Sequence, residues 1–241
     1  MIFILLPAFN ECENLKIIFK KINKYFKKKS QVKVILVDDC STDNTKKLIK
    51  KNNKLNIIYL RHKINKGLSI TMESGLKEIK KIAKKNDYII TLDSDNTHPI
   101  SLMPKMIKKL NVGNDIVIAS RFLKESKVNG LVYWRNLMSI CAKHLFKIIY
   151  PFKNLNDYTC NYRGYKFTCL KKILSNKKFF KNEDFNIAAK ILLFLIKNNK
   201  NLKLIEIPFT LNYGYKIGQS KMNILKTIFL TLRLIFLKKF N

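Results

Sequence analysis

Two pairs of aspartates each follow a short apolar run in this sequence, and they are the residues with the clearest chemical potential. Asp38 and Asp39 come directly after VKVILV, and Asp93 and Asp95 come after YIITL with one serine between them. A hard divalent cation takes oxygen ligands and commonly combines one or two protein carboxylates with substrate phosphates. Aspartate also caps turns, so either pair by itself is weak evidence for a metal site. Together they predict a site for Mg²⁺ or Mn²⁺, with Asp93 and Asp95 as its ligands.

The segments that must position these aspartates alternate between strand and helix patterns. Short Ile/Val/Leu runs separated by helices indicate an α/β fold, a mostly parallel sheet with helices on both faces. The carboxyl ends of its strands then share one edge, where ligands of open sheets bind. We predict strands at 2–6, 32–37, 56–60, 88–92 and 115–119. We predict helices at 11–26, 45–51, 66–84 and 102–110, the first and third capped by Asn10 and Asn65.

After residue 125 the pattern changes to longer apolar stretches. We predict a strand over 161–167, a helix over 183–197, an extended segment over 202–211, and apolar helices over 131–150 and 224–240. The last of these carries four basic residues and spans roughly 25 Å as a helix, which is short for crossing a bilayer. It fits a buried core helix or, as we prefer, an amphipathic helix lying in the headgroup region.

The formal net charge of +32 is extreme. Nucleic-acid binding is the first interpretation, because clustered cations bind phosphate backbones. However, 43 of the 48 basic residues are Lys, whereas proteins that recognise base sequence rely on Arg at base edges. We therefore favour solvated lysine faces, and next an anionic membrane surface as partner. A cationic nucleic-acid-binding protein stays as the alternative of a different class.

The five cysteines form no CxxC pair, which favours a reducing compartment and argues against a disulfide framework or a zinc site. The apolar N-terminus has no basic segment before it and predicts a strand, not a signal peptide. No window has about 18 uncharged apolar residues, so we expect no membrane-spanning helix. We expect a cytoplasmic protein, peripherally associated with the inner face of the membrane.

Nine short motifs follow one another in the order found in family-2 GT-A glycosyltransferases, which this chain resembles over residues 2–230. Five of them lie in the first half: LPAFNE (6–11), VDDCSTDNT (37–45), NKG (65–67), LDSDNTHP (92–99) and SRF (120–122). Those that follow are similar to the polyprenyl-phosphate sugar transferases, the dolichol-phosphate mannosyltransferase type: DYTCNYR (157–163) with Gly164 and Tyr165, EIPFTL (206–211) and GQSKM (218–222). The resemblance implies a Rossmann-like GT-A domain over 1–240. Its parts would be a nucleotide-sugar-binding half (1–124), an acceptor-side half (125–223) and a C-terminal amphipathic helix (224–240).

The resemblance also implies roles for individual residues. The nucleotide sugar, a GDP- or UDP-hexose, would be bordered by Pro7, Ala8, Asn10, Glu11, Asp39, Lys66, Gly67 and Asp93. Asp95 would bind the metal, and Asp38 would only shape its turn. Arg121 and Arg163 would be catalytic residues that bind phosphate charge, and Arg135 and Lys221 would bind the acceptor phosphate.

The resemblance leaves the acceptor open. The leading hypothesis is metal-dependent, inverting transfer of mannose or glucose to a polyprenyl phosphate. Transfer to a glycan hydroxyl is the alternative, and it would use Asp184 as a base. Ile140 and Lys143 depart from an Arg and an Asn common in the family, which affects the acceptor contacts. An inactive sugar-nucleotide-binding relative is a further alternative, against which the intact DSD motif argues.

Overall fold

The computed structural model describes residues 1–26, 31–52, 54–176, 179–180, 186–219 and 223–236. Its strands are β1 (Ile2–Ala8), β2 (Val32–Asp38), β3 (Ile57–Arg61), β4 (Tyr88–Thr91), β5 (Ile116–Ser120), β6 (Lys127–Asn129), β7 (Arg163–Lys166), β8 (Leu204–Pro208) and β9 (Thr210–Asn212). Its helices are α1 (Cys12–Tyr25), α2 (Thr45–Lys50), α3 (Leu68–Ile82), α4 (Met103–Asn111), α5 (Tyr133–Ile149), α6 (Phe167–Leu170), α7 (Ile187–Asn198) and α8 (Ile224–Phe236).

Seven strands form one sheet in the order β3-β2-β1-β4-β7-β5-β8. Neighbouring strands are parallel except at β7, which runs antiparallel to both β4 and β5. Strands β6 and β9 form a separate parallel pair. The predicted α/β class is confirmed, and the elements predicted before residue 125 occur within two residues of their expected ends.

Each face of the sheet is covered by helices, as the continuous apolar strands require. Along β1, Phe3 and Leu5 join one buried cluster while Ile4 and Leu6 join the other, since successive side chains point to opposite faces. The first cluster includes α3 and α7, and the second includes α1 and α4. The sheet is therefore held rigidly between two apolar layers, and its carboxyl edge is left for polar groups.

The predicted caps Asn10 and Asn65 are wrong. The N-cap positions of α1 and α3 are occupied by Glu11 and Gly67, and neither makes a side-chain capping hydrogen bond. The first N–H of α1, that of Cys12, donates instead to Asp43 Oδ2 at 2.8 Å. Asn10 adopts a left-handed conformation (φ 54°), and its amide oxygen accepts from the Thr42 backbone N–H at 2.7 Å. Asn65 donates to the carbonyl oxygen of Asp39 at 3.3 Å. Both asparagines cross-link loops at the sheet edge.

The helices α5 and α8 pack against each other and leave large apolar side chains in solvent. Tyr133 and Trp134 of α5 are 72% and 69% exposed, and Phe229 of α8 is 66% exposed. Within the described ranges, no helix combines the length and apolar character needed to span a bilayer. The predicted helix over 224–240 is observed to Phe236, and its last four residues lie outside the described part of the chain.

Gly75 allows α3 to approach the sheet closely. A Cβ added there would overlap the side chain of Leu5 in β1 and come within 3.1 Å of Val37 in β2. Both neighbours are fully buried, so neither can move aside without disturbing the cluster.

We predict that Gly75→Ala lowers the free energy of unfolding by about 2 kcal/mol, because overpacking a buried contact outweighs the better helix propensity of alanine. Urea denaturation measures the change. Lys80→Ala, on the exposed face of the same helix, is the control and is expected to shift stability by less than about 0.5 kcal/mol. Equal stabilities for Gly75→Ala and the wild type would contradict the close approach.

Candidate functional site

Asp39 follows β2 and is held at the amino end of α3. Its Oδ1 accepts from the backbone N–H of Lys66 at 2.9 Å, and its Oδ2 accepts from that of Gly67 at 2.8 Å. Gly67 has φ 83°, a left-handed conformation that favours glycine and aims this N–H at the carboxylate. His62 Nδ1 lies 2.6 Å from Oδ1, and His62 Nε2 lies 2.9 Å from the hydroxyl of Ser74. Asp39 is therefore fixed by three separate contacts.

Asp38 takes no part in the cavity that its neighbour lines. Its buried carboxylate accepts from the Ser41 backbone N–H, the Tyr59 hydroxyl and the Arg61 guanidinium. Burial and the hydrogen bond to Asp38 raise the pKa of Tyr59 to about 12. These contacts agree with the prediction that Asp38 shapes the turn after β2.

Asp93 and Asp95 lie in the turn that follows β4, one strand beyond β1. Asn161 Nδ2 donates to Asp93 Oδ1 at 3.0 Å. Asp95 Oδ1 accepts from the Thr97 hydroxyl at 2.7 Å, and its Oδ2 is 2.9 Å from Lys216 Nζ. Burial by itself would raise the pKa of Asp95, but Lys216, His98 and the Thr97 hydrogen bond together lower it.

This turn fits a hard divalent cation. Its carboxylates are oxygen ligands, and the ion pair with Lys216 shows that the surroundings of Asp95 accept a positive charge. Among the described residues, no group of three or more His, Cys, Asp or Glu could hold a metal ion. A cation bound by Asp93 and Asp95 would therefore complete its shell with other oxygens, as Mg²⁺ does with substrate phosphates.

The loop that carries Lys216 is fastened to the sheet edge from two sides. Asn14 of α1 is buried, and its amide both accepts from the Ile217 N–H at 3.1 Å and donates to the Ile217 carbonyl oxygen at 2.9 Å. Asn96 Nδ2 donates to the Tyr215 carbonyl oxygen at 3.1 Å. Side chains from the first hundred residues thus hold a loop from the last thirty beside the acidic turn.

Arg121 follows β5 and is paired with Asp157. The pair is bidentate, since Nε donates to Oδ2 at 2.8 Å and Nη2 donates to Oδ1 at 2.7 Å. Arg121 Nη2 also donates to the Thr159 hydroxyl, and Glu206 accepts from the Asp157 backbone N–H. Burial by itself would raise the pKa of Asp157, but the charge and hydrogen bonds of Arg121 lower it to about 2.

A cavity of about 1270 Å³ joins these groups. One part, here called the acidic end, contains residues at or just after the ends of β1, β2 and β4 and residues at the amino ends of α1 and α3: Pro7, Ala8, Glu11, Asp39, Lys66, Gly67, Asp93 and Asp95. The other part, here called the apolar end, is lined by α5 and α8 residues: Leu137, Met138, Ala142, Leu145, Ile228, Leu230 and Leu232. Arg135, Lys226 and Arg233 stand among the residues of the apolar end, and Arg121 lines the same cavity.

Of the residues predicted for the site, Arg163 is not brought to it. Its side chain is fully buried, and its guanidinium donates to the carbonyl oxygens of Tyr158 and Ala188. It supports the loop before β7 and cannot reach a ligand, so the predicted phosphate contact is corrected. Asn10 also lies outside the cavity lining, because its side chain serves the loop after β2. Asp184 and Lys221 fall outside the described residues.

Several residues with clear contacts at the site were not predicted from the sequence, among them His62, Ser74 and Lys216. His62 and Ser74 support Asp39, and Lys216 pairs with Asp95. Lys216 is one of 43 lysines, so composition gives it no distinction, although it stands two residues before the GQSKM motif. His62 is one of only three histidines, and this rarity was the available signal.

Comparisons with known proteins place the fold in one family. The profile of Glycosyl transferase family 2 matches residues 3–174. The dolichol-phosphate mannosyltransferase of Pyrococcus furiosus is 30% identical over 234 residues, which are 97% of this chain and 62% of that protein. The polyprenol monophosphomannose synthase of Mycolicibacterium smegmatis is 25% identical over 226 residues, 91% of this chain and 80% of that protein. This chain therefore spans less than two thirds of the Pyrococcus furiosus relative.

Solved structures show the same fold at lower identity. Glucosyl-3-phosphoglycerate synthase from Mycobacterium tuberculosis, in complex with Mn²⁺, UDP and phosphoglyceric acid, aligns with a TM-score of 0.65 and 13% identity. The alignment covers 98% of this chain and 76% of that one. The same enzyme with Mg²⁺ and UDP gives a TM-score of 0.66.

We predict that Asp157→Asn lowers the free energy of unfolding at pH 7 by about 3 kcal/mol, because it leaves the Arg121 guanidinium without its buried partner. The pKa of Asp157 is lower in the folded state than its ordinary value of 3.8. The stabilisation is therefore present above pH 4 and is lost as the pH falls from about 4 towards 2.

Urea denaturation of both proteins between pH 7 and pH 3 checks this, and the difference between them is expected to shrink at the acidic end. Glu78→Gln breaks the surface pair with Lys81 and serves as the control, with a change below about 1 kcal/mol. A difference between wild type and Asp157→Asn that stays constant over this range would contradict the assigned pKa direction.

Proposed function

Since the chain belongs to glycosyl transferase family 2, we propose that it transfers a hexose from a nucleoside-diphosphate sugar to a polyprenyl phosphate. The shape and chemistry of the cavity carry the proposal. An acidic, polar end at the sheet edge suits a metal-bound nucleotide sugar, and an apolar end lined by two helices suits an isoprenoid chain. The three cations at the apolar end suit a phosphate headgroup.

At the acidic end, the residues after β1, β2 and β4 would surround the donor. Asp39 with the amino end of α3 would meet the nucleoside, while Asp93 and Asp95 would hold Mg²⁺ or Mn²⁺ beside the diphosphate. When bound, the metal would stabilise the negative charge that develops on the departing nucleoside diphosphate. Lys216, 2.9 Å from Asp95, stands where it could also contact that phosphate charge.

A phosphate acceptor asks little of the protein in proton transfer. The second pKa of a phosphate monoester is about 6, so the phosphate group is already largely dianionic near neutral pH. One of its oxygens would attack the anomeric carbon, and the bond from this carbon to the diphosphate oxygen would break. A single displacement of this kind inverts the anomeric configuration. The main requirement is positive charge that holds two phosphate groups close together.

The positive charge is present in the described cavity lining. Six cationic side chains line it: Lys66, Arg121, Arg135, Lys216, Lys226 and Arg233. Four carboxylates do: Glu11, Asp39, Asp93 and Asp95. Arg121 is largely committed to Asp157, and Arg135 and Arg233 are our proposed contacts for the acceptor phosphate. Transfer to a glycan hydroxyl would instead need a base, for which Asp184 is the candidate.

The exposed apolar side chains of α5 and α8 support a peripheral position on an anionic membrane. They adjoin the apolar end of the cavity, so a polyprenyl chain in the bilayer would reach the site directly. Aromatic residues favour the headgroup level, and Lys and Arg nearby favour anionic lipids. We place the enzyme at the cytoplasmic face, where nucleotide sugars are available.

We predict that the chain moves radiolabelled hexose from a GDP- or UDP-hexose into the organic phase when polyprenyl phosphate and Mn²⁺ are present. Asp95→Asn should lower kcat/KM by at least about 10³-fold, since it removes a charged metal ligand. Glu125→Gln, which changes a carboxylate outside the cavity lining, should not. Labelling of oligosaccharides only, with loss of activity in Asp184→Asn, would overturn the lipid acceptor and support the hydroxyl alternative.

We predict that the protein sediments with vesicles containing anionic lipid at low salt, and that replacing Tyr133 and Trp134 by Ser weakens this at least about tenfold. Both rings are exposed, so the fold should be unchanged by this double substitution. Val112→Ser, at an apolar position 69% exposed beyond the end of α4, is the matched control. Failure of the wild type to bind, or equal binding by the double variant, would contradict the membrane contact.

A further inference from the structure

Asp39 offers a restricted set of acceptor positions to whatever binds at the acidic end. An ionised carboxylate has about four lone-pair sites, two on each oxygen. Oδ1 already accepts from the Lys66 N–H and faces His62 Nδ1, and Oδ2 accepts from the Gly67 N–H. Within the described part of the chain, these contacts leave one acceptor position, and it is on Oδ2.

His62 is held so that it cannot release Oδ1. Since a carboxylate only accepts hydrogen bonds, the ring proton belongs on Nδ1, and in the neutral ring Nε2 then accepts from the Ser74 hydroxyl. The side chains of His62 and Asp39 are only 9% and 5% exposed. Ser74 lies within α3, whose close packing on the sheet fixes its position. The ring is therefore bonded at both nitrogens between two rigid elements.

The location of Asp39 determines which part of a nucleotide sugar it would meet. Asp39 follows β2 and Asp95 follows β4, with β1 between them, so the two strand ends lie about 10 Å apart. If Asp95 holds the metal and diphosphate, as the proposed function requires, Asp39 faces the nucleoside. A carboxylate repels phosphate oxygens and prefers N–H or O–H donors, which the base and the ribose of the nucleoside supply.

We propose that His62 and Ser74 are specificity-determining residues that make Asp39 select a uracil base over guanine. Uracil presents a single imide N–H between two carbonyls, which matches the one remaining acceptor position on Oδ2. Guanine presents two neighbouring N–H donors and pairs best with both oxygens of a carboxylate. With Oδ1 already occupied, guanine leaves one donor unpaired, and an unpaired buried donor is costly.

The test is the binding of UDP, GDP and ADP with Mg²⁺, measured by isothermal titration calorimetry, which needs no acceptor. For the wild type we expect UDP to bind at least about tenfold more tightly than GDP or ADP. In His62→Leu, Oδ1 is freed for the second guanine donor, and the ratio of GDP to UDP dissociation constants should fall about tenfold. Tighter binding of GDP or ADP than of UDP by the wild type would overturn the inference.

Two further variants separate selection from simple support of the fold. His62→Asn can keep an N–H directed at Asp39 without the ring, and it should retain the preference for UDP. Ser74→Ala frees the ring at Nε2 and should give an intermediate preference. His144→Leu, which replaces an exposed histidine of α5 outside the cavity lining, should match the wild type. A ratio that stays at the wild-type value in His62→Leu would also overturn the inference.

These results are distinguishable from failure of the proposed function. Tight binding of GDP, with transfer to polyprenyl phosphate from a GDP-hexose, would remove only the inference about the base. Absence of binding by any nucleoside diphosphate would overturn both.

Discussion

Aspartates buried or half-buried along one edge of a sheet must each be met by hydrogen-bond donors, and this requirement organises the molecule. Asp38 meets Arg61, Asp39 meets the amino end of α3, Asp95 meets Lys216, and Asp157 meets Arg121. A buried carboxylate without such partners would be strongly destabilising. The partners come from distant parts of the chain, and Lys216 lies 121 positions after Asp95. The same contacts that make the acidic edge tolerable therefore bring the second half of the chain to the site.

The antiparallel strand β7 brings part of the second half of the chain to the acidic edge. Strands that run parallel to β1 bring the residues after them to this edge, whereas β7 brings the residues before it. The segment around Asp157 and Asn161 therefore reaches Arg121 and Asp93 directly. The apolar helices α5 and α8 extend the cavity away from the sheet, so one continuous space has two chemically different ends. Such a space is well matched to a polar donor and an amphiphilic acceptor.

The sequence was sufficient to predict the sheet edge and its aspartates, because strand periodicity and the scarcity of acidic residues are local signals. Other residues that line the cavity, such as Lys66 and Arg121, were predicted only through the resemblance to the family. Residues that are paired only through tertiary contacts were not predictable in the same way. Arg163 lies in a family motif, yet its guanidinium is buried and donates to the carbonyl oxygens of Tyr158 and Ala188. Asn10 looked like a helix cap because caps are recognised by spacing, but its left-handed backbone aims it at the neighbouring loop. Nothing in the local sequence distinguishes Lys216 from the many other lysines.

In the proposed function a phosphate oxygen, not a hydroxyl, accepts the sugar. A competition assay measures this directly: equal amounts of polyprenyl phosphate and the unphosphorylated polyprenol of the same length are offered in mixed micelles with the donor and Mn²⁺. Mass spectrometry then identifies which lipid has gained one hexose. Because cations stand among the residues of the apolar end, we expect essentially all of the hexose on the polyprenyl phosphate. Hexose on the polyprenol, or on neither lipid while a glycan acceptor is labelled, would contradict transfer to the lipid phosphate.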